Sequence, residues 1–314
     1  MYAVETISLS KRYGKTDALR GLNFTVDKGE IMVILGPNGS GKTTLLMILC
    51  TILKPTSGTA KIMGIDVVHE GTRAREVLGI AFQEARGFWR HKPSAILKFH
   101  ASMFDIDPTK RGDLIEQTMK DLELWESRDK MFMHLSGGQA KRLETAKVLV
   151  QRPQLAIFDE PTSQVDLRGK RKIWDKIREL RDEGSTIIVA TNEVREAEYL
   201  ADRVSILHKG NLVVRDPITK LKDAIAGGDV VEVVFENPLS TSLVEDLKTL
   251  GGSFSLSAEG QQLRAKVSRA EDWVPKMTSV SYNQGAKISS IRVTEPSLDD
   301  VFLHFTGKAL VDEP

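Results

Sequence analysis

Cysteine is nearly absent from this chain, with Cys50 alone among 314 residues. One cysteine excludes an intramolecular disulfide framework. The six histidines (69, 91, 100, 134, 208 and 304) show no zinc spacing with it. Long hydrophobic runs are missing too. The most apolar stretch, Leu45 to Leu53, is broken by Thr51, whereas a membrane-spanning helix needs about 20 apolar residues. Nor is one sign of charge in excess: 44 Lys+Arg stand against 43 Asp+Glu, for a net charge of +1. That balance argues against a dedicated binder of nucleic acid or acidic membranes, although a local basic patch can hide within it. The opening Met1-Tyr2-Ala3-Val4-Glu5 has neither the basic start nor the apolar centre of a signal peptide, so the expected place of work begins in the cytosol. Internal repeats and low-complexity segments are also lacking. What is present, 41% hydrophobic and 28% charged residues, describes a globular chain. Its length suggests about two domains.

Short alternating runs in the first stretch, such as Thr6 to Leu9 and Leu22 to Val26, suggest antiparallel strands. Ile31 to Leu35, Leu155 to Phe158 and Thr186 to Ala190 are short and continuously apolar, as strands buried on both faces are. Leu45-Leu46-Met47 reads as a helix after the first, and the spacing of Leu167, Ile173, Trp174, Ile177 and Leu180 as an amphipathic helix after the second. From Lys92 to Met133 the pattern is mostly helical. Strand–helix alternation predicts an α/β fold with a parallel sheet. Gly227-Gly228 reads as a break between residues 1–226 and 227–314. Beyond it the expected order is a strand at Val230–Phe235, a helix at Ser242–Leu250 and strands at Phe254–Leu256 and Gln262–Val267. A helix from Arg269 to about Asn283 and a strand at Ile288–Val293 complete a ferredoxin-like β-α-β-β-α-β pattern. A last helix is predicted from Ser297, with Gly307 as its stop.

Gly36-Pro37-Asn38-Gly39-Ser40-Gly41-Lys42-Thr43 fits the phosphate-binding pattern G-x-x-x-x-G-K-[ST], with a buried strand before it and a helix after it. Glycines let successive backbone N–H groups turn toward phosphate oxygens, and the helix N-terminus adds partial positive charge. Lys42 is expected to neutralise β/γ-phosphate charge, Thr43 to bind Mg²⁺, and Thr44 to belong to the same cradle. Asp159-Glu160 closes the second buried strand, where side chains face the ligand crevice of an α/β sheet. There Asp159 is expected to hold Mg²⁺ and Glu160 to polarise an attacking water.

Leu135-Ser136-Gly137-Gly138-Gln139 opens another predicted helix, Gln139 to Val150, and is a second anion-binding helix N-terminus. One nucleotide needs one cradle, so the second suggests service to a nucleotide on another copy. With this string the chain resembles the ATP-binding-cassette (ABC) ATPases, whose signature is LSGGQ. The order P-loop, Gln83, signature, Asp159-Glu160 matches that family over residues 1 to about 220. The resemblance implies a P-loop ATPase domain with a parallel-sheet core, an antiparallel β part and a helical part. It further implies ATP and Mg²⁺ as cofactors and two cassettes, identical or paralogous, closing head-to-tail around two ATP. The implied partner is a separate transmembrane permease subunit at the cytoplasmic face of the membrane, with no nucleic acid. By the same resemblance, Tyr13 stacks on adenine, with an ordinary strand-end tyrosine as the competing reading. Gln83 couples Mg²⁺ and water to the membrane partner. Ser136 and Gly138, within the cradle of Gly137 and Gln139, contact the γ-phosphate held by the opposite cassette, and Asp166 is the acid of the loop crossing the dimer. The stretch after Gln83 through Trp89 receives a coupling helix, with Phe88-Trp89 either exposed for it or packed.

One departure stands out. Where the family usually carries a histidine after the third buried strand, this chain has Asn192. An amide donates a hydrogen bond but carries no charge and shuttles no proton. A weakly hydrolysing regulatory cassette therefore stays open as an alternative. A soluble ABC ATPase of translation or DNA repair is a second, although the two cassettes, long coiled coils or zinc motifs usual in such proteins do not appear. The tail Glu295 to Gly307 looks like the ending of daunorubicin-resistance-type export ATPases, whose membrane subunit is usually a separate polypeptide. Cys50 is expected to be a buried apolar thiol, and Lys141-Arg142 a solvated or interface pair.

Overall fold

The structure, a computed structural model, describes residues 2–84, 89–224, 228–257, 260–294 and 296–307. The chain divides into two compact units, the first reaching Pro217 and the second starting at Ile218.

The first unit holds two sheets. Its six-stranded sheet runs, edge to edge, Asn211–Asp216, Arg203–His208, Ile31–Leu35, Thr186–Thr191, Leu155–Asp159 and Leu78–Ala81. All neighbours are parallel except the first pair. Every residue of the three central strands is buried, which is why they read as unbroken apolar runs. Four antiparallel strands form the second sheet, in the order Thr16–Asp27, Tyr2–Tyr13, Ser57–Ile62, Ile65–Asp66.

The helix Lys42–Leu49 belongs to the core that both sheets share. Its Leu45, Leu46 and Ile48 cluster with Val4, Leu9 and Phe24 from one sheet and Met32, Ile157 and Ile188 from the other. A helix covered on both sides needs no polar face. Helices Pro93–Met103, Pro108–Asp121 and Gly137–Gln151 form the helical part. The strands Leu78–Ala81, Arg203–His208 and Asn211–Asp216 were not among the expected ones. The first is four residues long and contains Gly79, too little for a periodicity to show.

In the second unit, a strand at Asp229–Phe235 leads to a helix at Thr241–Thr249 and strands at Ser253–Leu256 and Gln262–Val267. A helix at Ala270–Asn283 and a strand at Ile288–Thr294 follow. The sheet order is Ser253–Leu256, Gln262–Val267, Asp229–Phe235, Ile288–Thr294, antiparallel throughout. Val231, Val233, Leu263 and Ala265 pack under Leu243, Leu247, Trp273 and Met277 of the two helices. Ser297 caps the last helix, Leu298–Thr306, and Gly307 ends it in the left-handed conformation. This unit also takes in the short helix Ile218–Asp223, which packs against Leu298–Thr306 and buries Leu221. The division at Pro217/Ile218 thus falls ahead of the expected break, because that helix finds its apolar partner in the second unit. Gly227 itself lies outside the described residues.

Candidate nucleotide site

The P-loop joins the strand Ile31–Leu35 to the helix Lys42–Leu49. Gly39 and Gly41 adopt φ of 76° and 109°, which glycine alone reaches cheaply. Gly36 is required for a different reason: a Cβ there would lie 2.3 Å from the Leu207 carbonyl oxygen. Among the described residues no side chain caps the helix, and its first turn carries no acid, so its leading N–H groups stay open to an anion. Lys42 Nζ folds back onto the carbonyl oxygens of Gly36 at 2.7 Å and Pro37 at 3.1 Å. Burial pulls its pKa below the ordinary lysine value, partly offset by Glu160 and Asp159. Ser40 Oγ is buried with no partner among the described residues. Asn38 is exposed at the loop's tip, and Thr43 and Thr44 are half-buried.

Three strand ends converge beside this loop. Gly36 N–H donates to the Thr191 carbonyl at 3.3 Å, and Glu160 N–H to the Ala190 carbonyl at 2.8 Å. Asp159 is 3% exposed, and its Oδ1 has no hydrogen-bond partner among the described residues. Burial pushes its pKa up, against a hydrogen bond from Thr43 that lowers it. A buried acid with one oxygen idle, beside a threonine hydroxyl and a lysine, fits the oxygen donor set of a hard cation. Glu160 sits at φ 45°, a strained conformation for a non-glycine residue. Gln83, two residues past the strand Leu78–Ala81, donates from Nε2 to Glu160 Oε2 at 3.1 Å. Asn192 follows the buried Thr191 and is exposed.

The signature string opens Gly137–Gln151 as a helix with Ser136 at its N-cap. Ser136 Oγ accepts from Gln139 N–H at 3.2 Å, and Gln139 Oε1 accepts from Ser136 N–H at 3.1 Å, a reciprocal capping box. The hydroxyl proton of Ser136 remains free to donate. Gly137 and Gly138 allow close passage of the loop ahead of Asp166: added Cβ atoms would lie 2.5 Å from Gln164 Oε1 and 3.2 Å from the Gln164 carbonyl. Asp166 caps the helix Leu167–Asp182, accepting from Gly169 N–H at 2.9 Å, and that bond lowers its pKa. Gln83, Glu160, Gly137, Gln164 and Trp89 line one cavity of about 650 Å³.

The ABC transporter family profile matches residues 19–163. The daunorubicin resistance ATP-binding protein DrrA3 of Streptomyces coeruleorubidus is 30% identical over 97% of this chain and 96% of its own length. This chain belongs to the ATP-binding-cassette transporter family. A Nod factor export ATP-binding protein I of Rhizobium etli is 28% identical over 99% of this chain and 95% of its own. Among solved structures, the ATP-binding cassette MJ0796, dimeric in a post-hydrolysis state bound to ADP and Pi, is similar with a TM-score of 0.64. It is 25% identical and covers 68% of this chain and 98% of that one. CbiO1 from Clostridium perfringens, part of the ABC transporter complex cbiONQ, has a TM-score of 0.61 and is 30% identical over 70% of this chain and 90% of its own. As a family member this cassette is an ATP-binding protein and an ATPase. No helix among the described residues is long and apolar enough to cross a membrane.

Lys141, Arg142 and Glu196 are charged residues of the cassette that are buried. Lys141 is not part of a solvated pair: it is 3% exposed and donates to the carbonyl oxygens of Phe82, Gln83 and Asp159, each at 2.8 Å. Burial brings its pKa down to about 8. Arg142 is buried as well, bonded to the Leu122 carbonyl at 3.3 Å and to Glu123 at 3.1 Å. The helix is buried almost all round from Lys141 to Gln151, so no single face of its sequence marked these two residues. Glu196, 1% exposed, accepts from Thr162 Oγ1 and Trp174 Nε1 at 2.8 Å each and also from Thr191. Burial raises its pKa. Thr191 Oγ1 in turn accepts from Glu193 N–H at 3.0 Å, so the turn carrying Asn192 and the turn after Glu160 are tied to one carboxylate.

Cys50 is buried, and its thiol pKa is raised by burial. Tyr13 is exposed at its strand end, with Lys11 Nζ 5.3 Å from its ring centre. Trp89 is 73% exposed. Phe88 lies outside the described residues.

Proposed function

We propose that this cassette is the ATP-driven subunit of an exporter, working on a separate transmembrane permease from the cytoplasmic face of the membrane. Two cassettes, identical or paralogous, close head-to-tail around two Mg-ATP, and hydrolysis reopens them. The reading rests most heavily on Asp159, a buried carboxylate with an unpartnered oxygen between Thr43 and Glu160. Thr43, Asp159 and Gln83 would hold Mg²⁺, which when bound offsets phosphate charge and polarises the γ-phosphoryl group. Gly36, Asn38, Gly39, Ser40, Gly41, Lys42, Thr43 and Thr44 cradle the triphosphate, and Tyr13 stacks on adenine. Glu160 accepts the proton of the attacking water, oriented by Gln83, while Asn192 donates to the γ-phosphate without charge. The opposite cassette completes the site with the Ser136 hydroxyl, the N–H groups of Gly137 and Gly138, the Gln139 cap and the Asp166 loop.

Export is supported by relatives named for drug resistance and Nod factor export that match nearly the whole chain. The exposed Trp89 beside the Gln83 cavity suits contact with a coupling helix of the permease. We further read the second unit as a ferredoxin-like domain, supported by its strand order, and as a stabiliser or regulator of the dimer. Affinity purification from detergent-solubilised membranes tests the partner: a multi-helix membrane protein is expected to accompany the cassette, and nucleic acid in its place contradicts the reading. Size-exclusion chromatography of Glu160→Gln tests the pairing. A dimer is expected with Mg-ATP and a monomer with ADP; a monomer in both contradicts head-to-tail closure.

A further inference from the structure

We propose that Lys141 is a positioning residue for hydrolysis, holding Gln83 against Glu160 by binding the backbone carbonyls just past the strand ladder beneath them. The inference rests on the reading that this site hydrolyses ATP through Glu160. The strands Leu78–Ala81 and Leu155–Asp159 pair in register only as far as Ala81 and Phe158. Beyond that point Asp159 stays paired with Ala190 on its other side, whereas Phe82 and Gln83 have no ladder partner on the strand Leu155–Asp159. Lys141 Nζ supplies the junction, with one donor for each of these three carbonyls at 2.8 Å. An ammonium carries three donors, so its capacity is filled. The Gln83–Glu160 bond lies immediately beyond this clamp.

Packing alone does not explain a cation here. A buried charge costs more than an apolar residue of similar volume, so methionine would fill the space more cheaply. What methionine lacks is the means to bind two separate chain segments at once. The clamp also reaches from the helix that the signature opens, so the Ser136 end of that helix and the Gln83–Glu160 pair share a rigid connection.

Lys141→Met and Lys141→Arg test the assignment in the full chain, co-purified with its membrane partner. Turnover, ATP affinity and amide hydrogen exchange are measured together. Lys141→Met is expected to lower kcat by about tenfold or more, the loss of one or two charge-assisted hydrogen bonds at the reacting centre. ATP affinity stays within about twofold, because the P-loop is untouched. Exchange accelerates in peptides containing Phe82–Gln83 and Asp159–Glu160 but not in the helix Lys42–Leu49, and Lys141→Arg restores most of the lost kcat. An unchanged kcat overturns the proposal. So does a parallel loss of kcat and ATP affinity with exchange rising along all of Gly137–Gln151, the mark of a purely structural lysine. Should the wild-type protein turn over no faster than Glu160→Gln, the hydrolysis reading fails by itself. The exchange contrast then judges the clamp alone: local opening at the two peptides upholds it and unchanged exchange there overturns it.

Discussion

Gln83 and Glu160, just past the ends of neighbouring parallel strands, meet through a 3.1 Å hydrogen bond from the amide to the carboxylate. Backbone geometry alone does not bring them together, since the ladder between their strands ends before either residue. A base held by a neighbouring amide is oriented before substrate arrives, which is where catalytic advantage accrues. Glu160→Gln keeps the shape and removes the carboxylate proposed as the base. Its turnover is expected to fall by about 10²–10⁴-fold, the usual range for a general base, while ATP binding persists. Steady-state phosphate release with equilibrium nucleotide binding separates the two effects; a parallel loss of binding would place Glu160 in the cradle instead.

Gly41 tests the P-loop geometry. At φ 109° with a would-be Cβ 2.5 Å from the Ala18 carbonyl oxygen, it is strained and crowded for any side chain. Gly41→Ala is expected to lose ATP binding and about 1–3 kcal/mol of stability through backbone strain. Thermal unfolding and nucleotide titration read both, and a variant with wild-type affinity would contradict the cradle drawn here.

Glu196 is a stability prediction with a functional edge. Glu196→Ala leaves the Thr162 hydroxyl and the Trp174 N–H without their acceptor in a buried site. The cost is about 2–4 kcal/mol from unsatisfied donors and lost packing. Glu196→Gln retains an acceptor oxygen and is expected to lose much less. Denaturant unfolding of both variants decides, and equal losses would contradict the assigned hydrogen bonds.

His100, against Phe104 with ring centres 4.8 Å apart, gives a pH prediction. Burial, reinforced by Lys147, brings its pKa down from 6.5 to about 4. The unfolded chain therefore binds this proton more readily than the folded one. The stability contribution is complete above pH 6.5 and is lost as pH falls from there toward about 4. At about 1.4 kcal/mol for each pKa unit, the loss amounts to up to about 3 kcal/mol. His100→Gln should flatten the fall of Tm across that window; an unchanged slope would assign acid sensitivity elsewhere.

Residues whose role is local were legible in the amino-acid order. Glycines at Gly39 and Gly41, the buried-strand runs, and Ser136 with Gln139 as a capping box each carry their conformation in a few neighbouring residues. Lys141 and Glu196 were not legible as functional residues, because charged side chains in helices are ordinarily solvated. Only the closing of distant loops over them, Phe82 and Gln83 on one and Thr162 and Thr191 on the other, gives them work. The helix Ile218–Asp223 groups with the second unit for the same reason. The helix Ile218–Asp223 is a short segment whose partner, Leu298–Thr306, comes near the far end of the described chain.

ATP turnover by the full chain with its membrane partner, compared with Glu160→Gln and with Asn192→His, tests the central claim most directly. Wild-type turnover is expected well above the Glu160→Gln level, with an Asn192→His rate that matches or exceeds the wild type. Wild-type turnover no higher than that of Glu160→Gln would contradict it and leave a cassette that binds ATP without spending it.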